Sequence, residues 1–261
     1  MLVMRGKVYL VGAGPGDPEL LTIKALRLLE SAEVILHDDL VSQAILERAS
    51  PAAQILNVGK RCGRKIFSQE EINQLAVSYA RDGYTVLRLQ SGDPLIFGRT
   101  AEEMAALREA DVEFEIVPGV TSALGAAAAA KVALTERGVS SAVVFTTGHH
   151  WDGQRFRFLP GMSGPGVTMV VYMPTDYVSI SEQLRAAGWD SETPCLVVSN
   201  ASTPRETCFL TTLSQLPHTP QPPAPKLLII GAVAKAAAVN EAHGTGDVAE
   251  LVSTHLPPLR A

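Results

Sequence analysis

The chain has 261 residues, 46% of them hydrophobic, and a formal net charge of -5. That apolar content suffices for one large core or two modest ones, and because a domain takes about 100–200 residues, two domains are expected. The acidic balance excludes general attraction to nucleic acid or to an anionic membrane, both of which need a basic footprint, so an anionic ligand must be met by a local cluster of bases.

No apolar stretch reaches the roughly 18–20 residues that span a bilayer, and the opening MLVMRGKVYLVGAG runs into a strand pattern without a signal-peptide cleavage site. A cytoplasmic protein is expected. Cys62, Cys195 and Cys208 are odd in number and widely spaced, which argues against a disulfide framework and a zinc site, and no metal is expected.

In chain order, short β-branched runs alternate with helix-period segments, the pattern of an α/β domain with a largely parallel sheet. Strands are expected at residues 7–11, 33–37, 54–58, 85–90 and 113–117. Asp17 followed by Pro18 reads as a helix N-cap with Pro at the first helical position. Between the third and fourth strands, Ser68 and Glu71 have capping-box spacing, Ile72, Leu75, Ala76 and Tyr79 form one apolar face, and Gly83 stops the helix. Thr100 and Glu103 have capping-box spacing at the start of a second helix. An alanine-rich third, TSALGAAAAAKVAL, follows Pro118-Gly119 and reads as close packing. Strands at 142–146, 168–172, 195–199 and 227–230, with a helix near 178–187 closed by Gly188, make the second domain, and the Pro/Gly-rich 157–166 makes a loop in it. The expected division is 1–137 and 138–261.

The stretch VYLVGAGPGDPELLT, residues 8–22, invites a dinucleotide reading, with Asp38 and Asp39 about 20 residues on, where a ribose-binding acid would stand. Its details reject a pyrophosphate. Asp17 occupies the third glycine position, where a carboxylate repels phosphate, and Pro15 removes a backbone donor. The loop suits an uncharged or cationic ligand instead. LRLQSGDPLIFGR, residues 87–99, repeats the design of strand, small residues, Asp-Pro and helix, so two acid-rimmed turns are expected to frame one crevice.

Together with VGKRCGR and QEEIN, VPGVTSA, LTERG, TGH and VVYM, in this order and at these separations, the two loops closely resemble the uroporphyrinogen-III C-methyltransferases of the tetrapyrrole (precorrin) methylase superfamily. The resemblance runs from about residue 7 to 235. It implies two α/β domains with S-adenosylmethionine in the cleft between them, S-adenosylhomocysteine as by-product, a homodimer, and methylation of uroporphyrinogen III at two ring carbons to give precorrin-2, on the way to siroheme and cobalamin. Some relatives carry a dehydrogenase and ferrochelatase module as well; only the methyltransferase activity is expected of this chain.

The resemblance places the cofactor on Pro15, Ser91, Gly92, Asp93, Ile96, Thr121, Ser122, Met173 and Ala201. Carboxylate and backbone acceptors with a helix N-terminus suit a sulfonium carrying an amino-acid tail; Met173 by itself would read as core. It also places acid-base residues at Asp38 and Lys60, which alone read as a strand-end carboxylate and a solvated charge. Lys60, Arg61, Arg64 and Lys65 put four bases in six positions, and with Arg99 and Arg137 they supply the basic patch a polycarboxylate substrate needs. Asp38 or Glu102 is the expected proton acceptor; Arg99, always protonated, serves electrostatics.

Some positions depart from the family pattern. Gln90-Ser91 stands where Lys-Gly is usual, His37 where Tyr, Asp39 where Arg, Glu136 where His, and Thr100-Ala101 where two glycines are usual. These leave open a relative acting on a later precorrin or a diphthamide precursor, and a cofactor-binding protein without turnover. The adjacent His149-His150 pair cannot direct both rings at one ion from a regular strand.

Overall fold

The computed structural model describes residues 6–61, 64–65, 67–148, 164 and 166–237. Cys62, the His149-His150 pair, most of the 157–166 loop and the end of the expected second domain lie outside the described residues.

The first sheet is wholly parallel. Its strands are β1 (Lys7–Gly12), β2 (Val34–His37), β3 (Gln54–Asn57), β6 (Thr85–Gln90) and β7 (Glu113–Val117), in the spatial order β3-β2-β6-β1-β7. Between β3 and β6 the chain makes the small antiparallel hairpin β4 (Lys60–Arg61) and β5 (Arg64–Lys65). β2 is buried throughout and β6 nearly so, because a parallel sheet is covered on both faces and its inner strands read as continuous apolar runs. Helices α1 (Ile23–Ser31) and α2 (Gln43–Leu46) bury Leu29 and Ile45 against Ile35, Leu87 and Leu89 on one face. Helices α3 (Gln69–Arg81) and α4 (Thr100–Glu109) bury Ile72, Ala76 and Leu107 against Leu10, Leu36 and Val86 on the other.

The second sheet is mixed. β8 (Ala142–Thr147), β9 (Val167–Tyr172), β10 (Pro194–Ser199), β11 (Thr207–Thr212) and β12 (Lys226–Ile230) lie in the order β11-β10-β12-β9-β8, parallel between β8 and β9 and antiparallel elsewhere. Helix α6 (Tyr177–Ala186) covers one face through Ile180 and Leu184. The alanine-rich helix α5 (Ser122–Ala129) covers the other, with Ala123, Ala126 and Ala127 on Val170, Leu196 and Ile229. Its methyl-sized side chains let the helix backbone approach the sheet closely, which is the packing reading of the alanine run.

The expected strands occur within about one residue of their expected ends, and α6 is displaced by one position. The β4–β5 hairpin and α2 were not among the expected elements, and three further details differ. β11 was not expected: it is a half-buried edge strand with threonines at both ends, lacking the apolar run that marks the inner strands. Asp17 caps as expected, accepting from the Glu19 amide at 2.9 Å, but the turn it starts is one 3-10 turn, Pro18–Leu20, and α1 begins anew at a Thr22 cap. The capping box expected at Thr100 and Glu103 does not form. The N-cap of α4 is Arg99, without a side-chain cap bond; Thr100 donates to the Pro94 carbonyl, and Glu103 turns inward to a buried arginine.

The capping box on α3 is complete, with the Glu71 amide donating to Ser68 Oγ at 3.1 Å and the Ser68 amide to Glu71 Oε2 at 2.5 Å. Ser68→Ala is expected to cost about 1 kcal/mol, read as a lower urea midpoint at unchanged slope.

Candidate active site

The two acid-rimmed turns meet. They leave the C-terminal ends of the adjacent strands β1 and β6, where open parallel sheets place their ligands. Ala13 N–H donates to the Gln90 carbonyl at 2.7 Å, and Gly14 and Gly92 exchange two backbone hydrogen bonds of 3.1 and 2.8 Å. The turn after β7 completes the group. A Cβ on Gly12 would lie 2.5 Å from the Gly119 nitrogen and 2.6 Å from the Gly92 oxygen, and one on Gly119 would lie 2.3 Å from that same oxygen. Only residues without side chains allow three chain segments to touch there.

Asp93 locks this junction. Oδ1 accepts from the Leu95 amide at 2.8 Å and Oδ2 from the Gly119 amide at 3.0 Å. Its carboxylate therefore shapes the β6 turn while keeping a negative charge beside Tyr172, whose phenol burial pushes up and that charge pushes further.

The second sheet closes the cleft from the opposite side. Pro15 packs on α5 at Gly125, where a Cβ would come within 2.8 Å of it and 3.1 Å of Ser202 Oγ; a Cβ on Gly16 would lie 2.7 Å from Thr203. Thr121, at the N-cap of α5, shares a 2.6 Å hydrogen bond with the Tyr172 hydroxyl at the end of β9. Ser122 Oγ lies 3.2 Å from where a Gly92 Cβ would be, and Ile96 and Ala201 each pack against the α5 core. Pro15, Gly92, Asp93, Ile96, Thr121, Ser122 and Ala201 are thus brought to one junction, with half-buried Ser91 beside Gly92 and exposed Met173 following Tyr172. This set carries a carboxylate and no Lys or Arg. It fits a cationic or neutral ligand and not a diphosphate, as the sequence of the first loop required.

The rim is strained. Phe97, Arg99, Met173, Asn200 and Ser202 all hold φ between 49° and 60°, which costs a bulky residue of order 1–3 kcal/mol and collects where function fixes the backbone. Phe97 and Phe145 present partly exposed rings that both contact Tyr172, at centroid distances of 4.9 and 5.7 Å.

Asp38 ends β2 on the same edge of the sheet, its amide donating to the Leu89 carbonyl at 3.1 Å. Its Oδ1 accepts from Arg88 Nη2 at 2.6 Å, and Arg88 Nε donates to Glu103 at 2.9 Å. Burial works against the Arg88 charge, but the Asp38 and Glu103 carboxylates outweigh it and hold the guanidinium protonated more firmly than a free arginine. Arg88 and Glu103 were missed at the level of sequence, although an arginine inside the apolar run TVLRLQ is a readable signal of a buried partner. Asn57 was also missed. It donates to Asp39 at 3.2 Å and accepts from the Gly59 amide at 2.9 Å, tying the root of the β4–β5 hairpin to the strand end that carries Asp38. The hairpin register sets Lys60 opposite Lys65 and Arg61 opposite Arg64.

Glu102 is not open. Both its oxygens accept from Arg99, at 2.8 and 2.7 Å, and that hydrogen-bonded guanidinium holds its carboxyl below the usual glutamate range. Arg137 is exposed in the turn that Glu136 and Ser140 close, and makes no ion pair among the described residues. Among the described residues no three His, Cys, Asp or Glu gather to hold a metal, and no helix is long and apolar enough to cross a membrane.

A side chain at Gly12 would part the three turns. Gly12→Ala is expected to destabilise the protein by about 1–3 kcal/mol and to speed amide exchange at Gly14 and Gly92; unchanged protection at both would contradict the described contact.

Residues 7–217 match the tetrapyrrole (corrin/porphyrin) methylases. The crystal structure of uroporphyrin-III C-methyl transferase from Thermus thermophilus complexed with S-adenyl homocysteine is similar at a TM-score of 0.78 and 40% identity, over 88% of this chain and 99% of that one. A siroheme synthase of Ectopseudomonas mendocina (strain ymp) is 45% identical over 87% of this chain and 50% of its own length. The chloroplastic S-adenosyl-L-methionine-dependent uroporphyrinogen III methyltransferase of Arabidopsis thaliana is 42% identical over 87% of this chain and 63% of its own. The chain thus spans about half to two thirds of these curated relatives. A glycine junction held by a carboxylate, at the ends of parallel strands and under a second sheet, agrees with all of these likenesses: the chain belongs to the tetrapyrrole (corrin/porphyrin) methylase family.

Proposed function

We propose that this chain transfers methyl groups from S-adenosylmethionine to two ring carbons of uroporphyrinogen III, giving precorrin-2 for siroheme or cobalamin synthesis. The observation that carries the reading is the junction of Gly12, Gly92 and Gly119 pinned by Asp93 and roofed by Thr121 and Tyr172. It offers backbone and a negative charge without a basic side chain, and a likeness of 40% identity across nearly all of the Thermus enzyme, which holds S-adenyl homocysteine, supports the same ligand class here.

When bound, S-adenosylmethionine supplies an electrophilic methyl on a positively charged sulfur. The chain's own residues then act by position. Pro15, Ser91, Gly92, Ile96, Thr121, Ser122, Met173 and Ala201 hold the cofactor, and Asp93 complements its charge. Phe97 and Phe145 keep water from the reacting carbon. Holding nucleophile and methyl in line supplies several kcal/mol of the barrier. Lys60, Arg61, Arg64 and Lys65, with Arg137, receive the acetate and propionate carboxylates, and Arg99 adds positive charge at the rim.

For the proton the macrocycle sheds, Asp38 is better placed than Glu102. Arg99 occupies both oxygens of Glu102, whereas Arg88 takes only Oδ1 of Asp38, whose side chain is 32% exposed. Lys60 acts beside it in this reading. The same reading divides the chain at 137/138, supported by each large sheet being built from one side of that point. A cytoplasmic location and a homodimer belong to it too, the homodimer on the ground of the resemblance.

Purified protein incubated anaerobically with S-adenosylmethionine and uroporphyrinogen III is expected to yield a product heavier by two methyl groups; unchanged product mass would refute the assignment. Asp38→Asn is expected to lower turnover by at least about 100-fold while calorimetric cofactor affinity stays within about twofold. Weaker cofactor binding at normal turnover would place Asp38 in the wrong role.

A further inference from the structure

We propose that Arg88 is a positioning residue for methyl transfer: its buried guanidinium, anchored on Glu103, fixes the carboxylate of Asp38 so that one oxygen stays turned to the cleft. The inference rests on the role given to Asp38 above.

The guanidinium is held on every side. Nε donates to Glu103 at 2.9 Å, Nη2 to Asp38 at 2.6 Å, and Nη1 to the carbonyls of Leu36 and Leu89 at 3.4 and 3.3 Å. Arg88 is 4% exposed, so its position cannot drift toward water. Glu103 is buried equally deeply and is itself held, accepting from Gln69 of α3 at 3.1 Å and lying 3.4 and 3.5 Å from the Gln90 amide. Gln90 in turn donates to the Gly98 carbonyl at 2.8 Å, at the base of the strained segment carrying Phe97 and Arg99. The chain of contacts therefore runs from α3 and α4 through Arg88 to the end of β2.

Burial of this pair needs an explanation beyond stability. Charges taken out of water are costly, and well-packed apolar residues in their place are often as stable or more so. What a guanidinium gives that apolar packing does not is a rigid fork, with five N–H donors in one plane, able to serve two carboxylates at once. Here one tine ends on a buried acid and the other on one that is partly exposed. Oδ2 of Asp38 makes no hydrogen bond among the described residues, so the fixed carboxylate keeps one free acceptor at the strand end where Asp39 is tied to the root of the basic hairpin. A lysine could neutralise Glu103 but could not bridge to Asp38 with fixed geometry.

The test is a double-mutant cycle of Arg88→Lys and Asp38→Asn, reading turnover, tetrapyrrole KM and calorimetric cofactor affinity. Arg88→Lys alone is expected to reduce turnover by at least about tenfold, with cofactor affinity unchanged within about twofold. In the Asp38→Asn background the same change is expected to cost less than about twofold, because the group it positions is already disabled. Equal losses in both backgrounds would overturn the proposal and leave the role of Asp38 intact. Wild-type turnover in Asp38→Asn alone would overturn that role and this proposal with it. Should Arg88→Lys fail to fold, the pair Arg88→Met with Glu103→Gln leaves no unpaired charge in the buried interior, since the Asp38 side chain is 32% exposed, and carries the same cycle.

Discussion

The structure depends on a contact between backbones. Three parallel strands end side by side, and Gly12 and Gly119 let their turns touch the Gly92 backbone at distances no Cβ permits. The Gly14–Gly92 bridge and the Asp93 carboxylate then lock what the missing side chains allow. Because the junction is made of peptide groups, it presents fixed dipoles to the cleft and loses little when a ligand binds. The second sheet meets this floor where Pro15 sits on Gly125 and Thr121 reaches Tyr172.

Around the floor the protein separates its charges by type. Asp93, a backbone-satisfied carboxylate, lies where the cofactor's positive sulfur is proposed to pass, and no base lies in that set. The bases instead occupy the β4–β5 hairpin, whose root Asn57 and Gly59 fasten beside Asp39. In a chain of net charge -5, this local concentration is where the proposed polycarboxylate substrate would dock. Between the two regions stands Asp38, tied down by Arg88. The positive φ values of Phe97, Arg99 and Met173 mark the same boundary, strain that the hydrogen-bonded turns on either side over-determine.

The comparison of Asp38 with Glu102 shows how geometry outranks residue type. Both are carboxylates within reach of an arginine. The Arg99 fork closes on both oxygens of Glu102 at the surface, while the Arg88 fork is split between two acids in the interior and leaves one oxygen of Asp38 open. Spacing alone gave Glu103 a capping role that it does not take, because a buried guanidinium is a stronger claimant for a carboxylate than an amide at a helix start.

What the sequence by itself determined is local or periodic: the apolar strands, the α3 capping box, the phosphate-rejecting first loop, the basic cluster and, through ordered motifs, the family. Each is written in residues a few positions apart, so reading along the chain recovers it. Only the tertiary structure decided which segments touch. Arg88 and Asp38 are 50 positions apart, Thr121 and Tyr172 51, and no spacing rule relates them. The α5 helix precedes the second sheet in the chain yet supplies part of its core. Such pairings are set by which apolar faces must be buried together and which buried charges must find partners, and those demands are met across the whole fold at once.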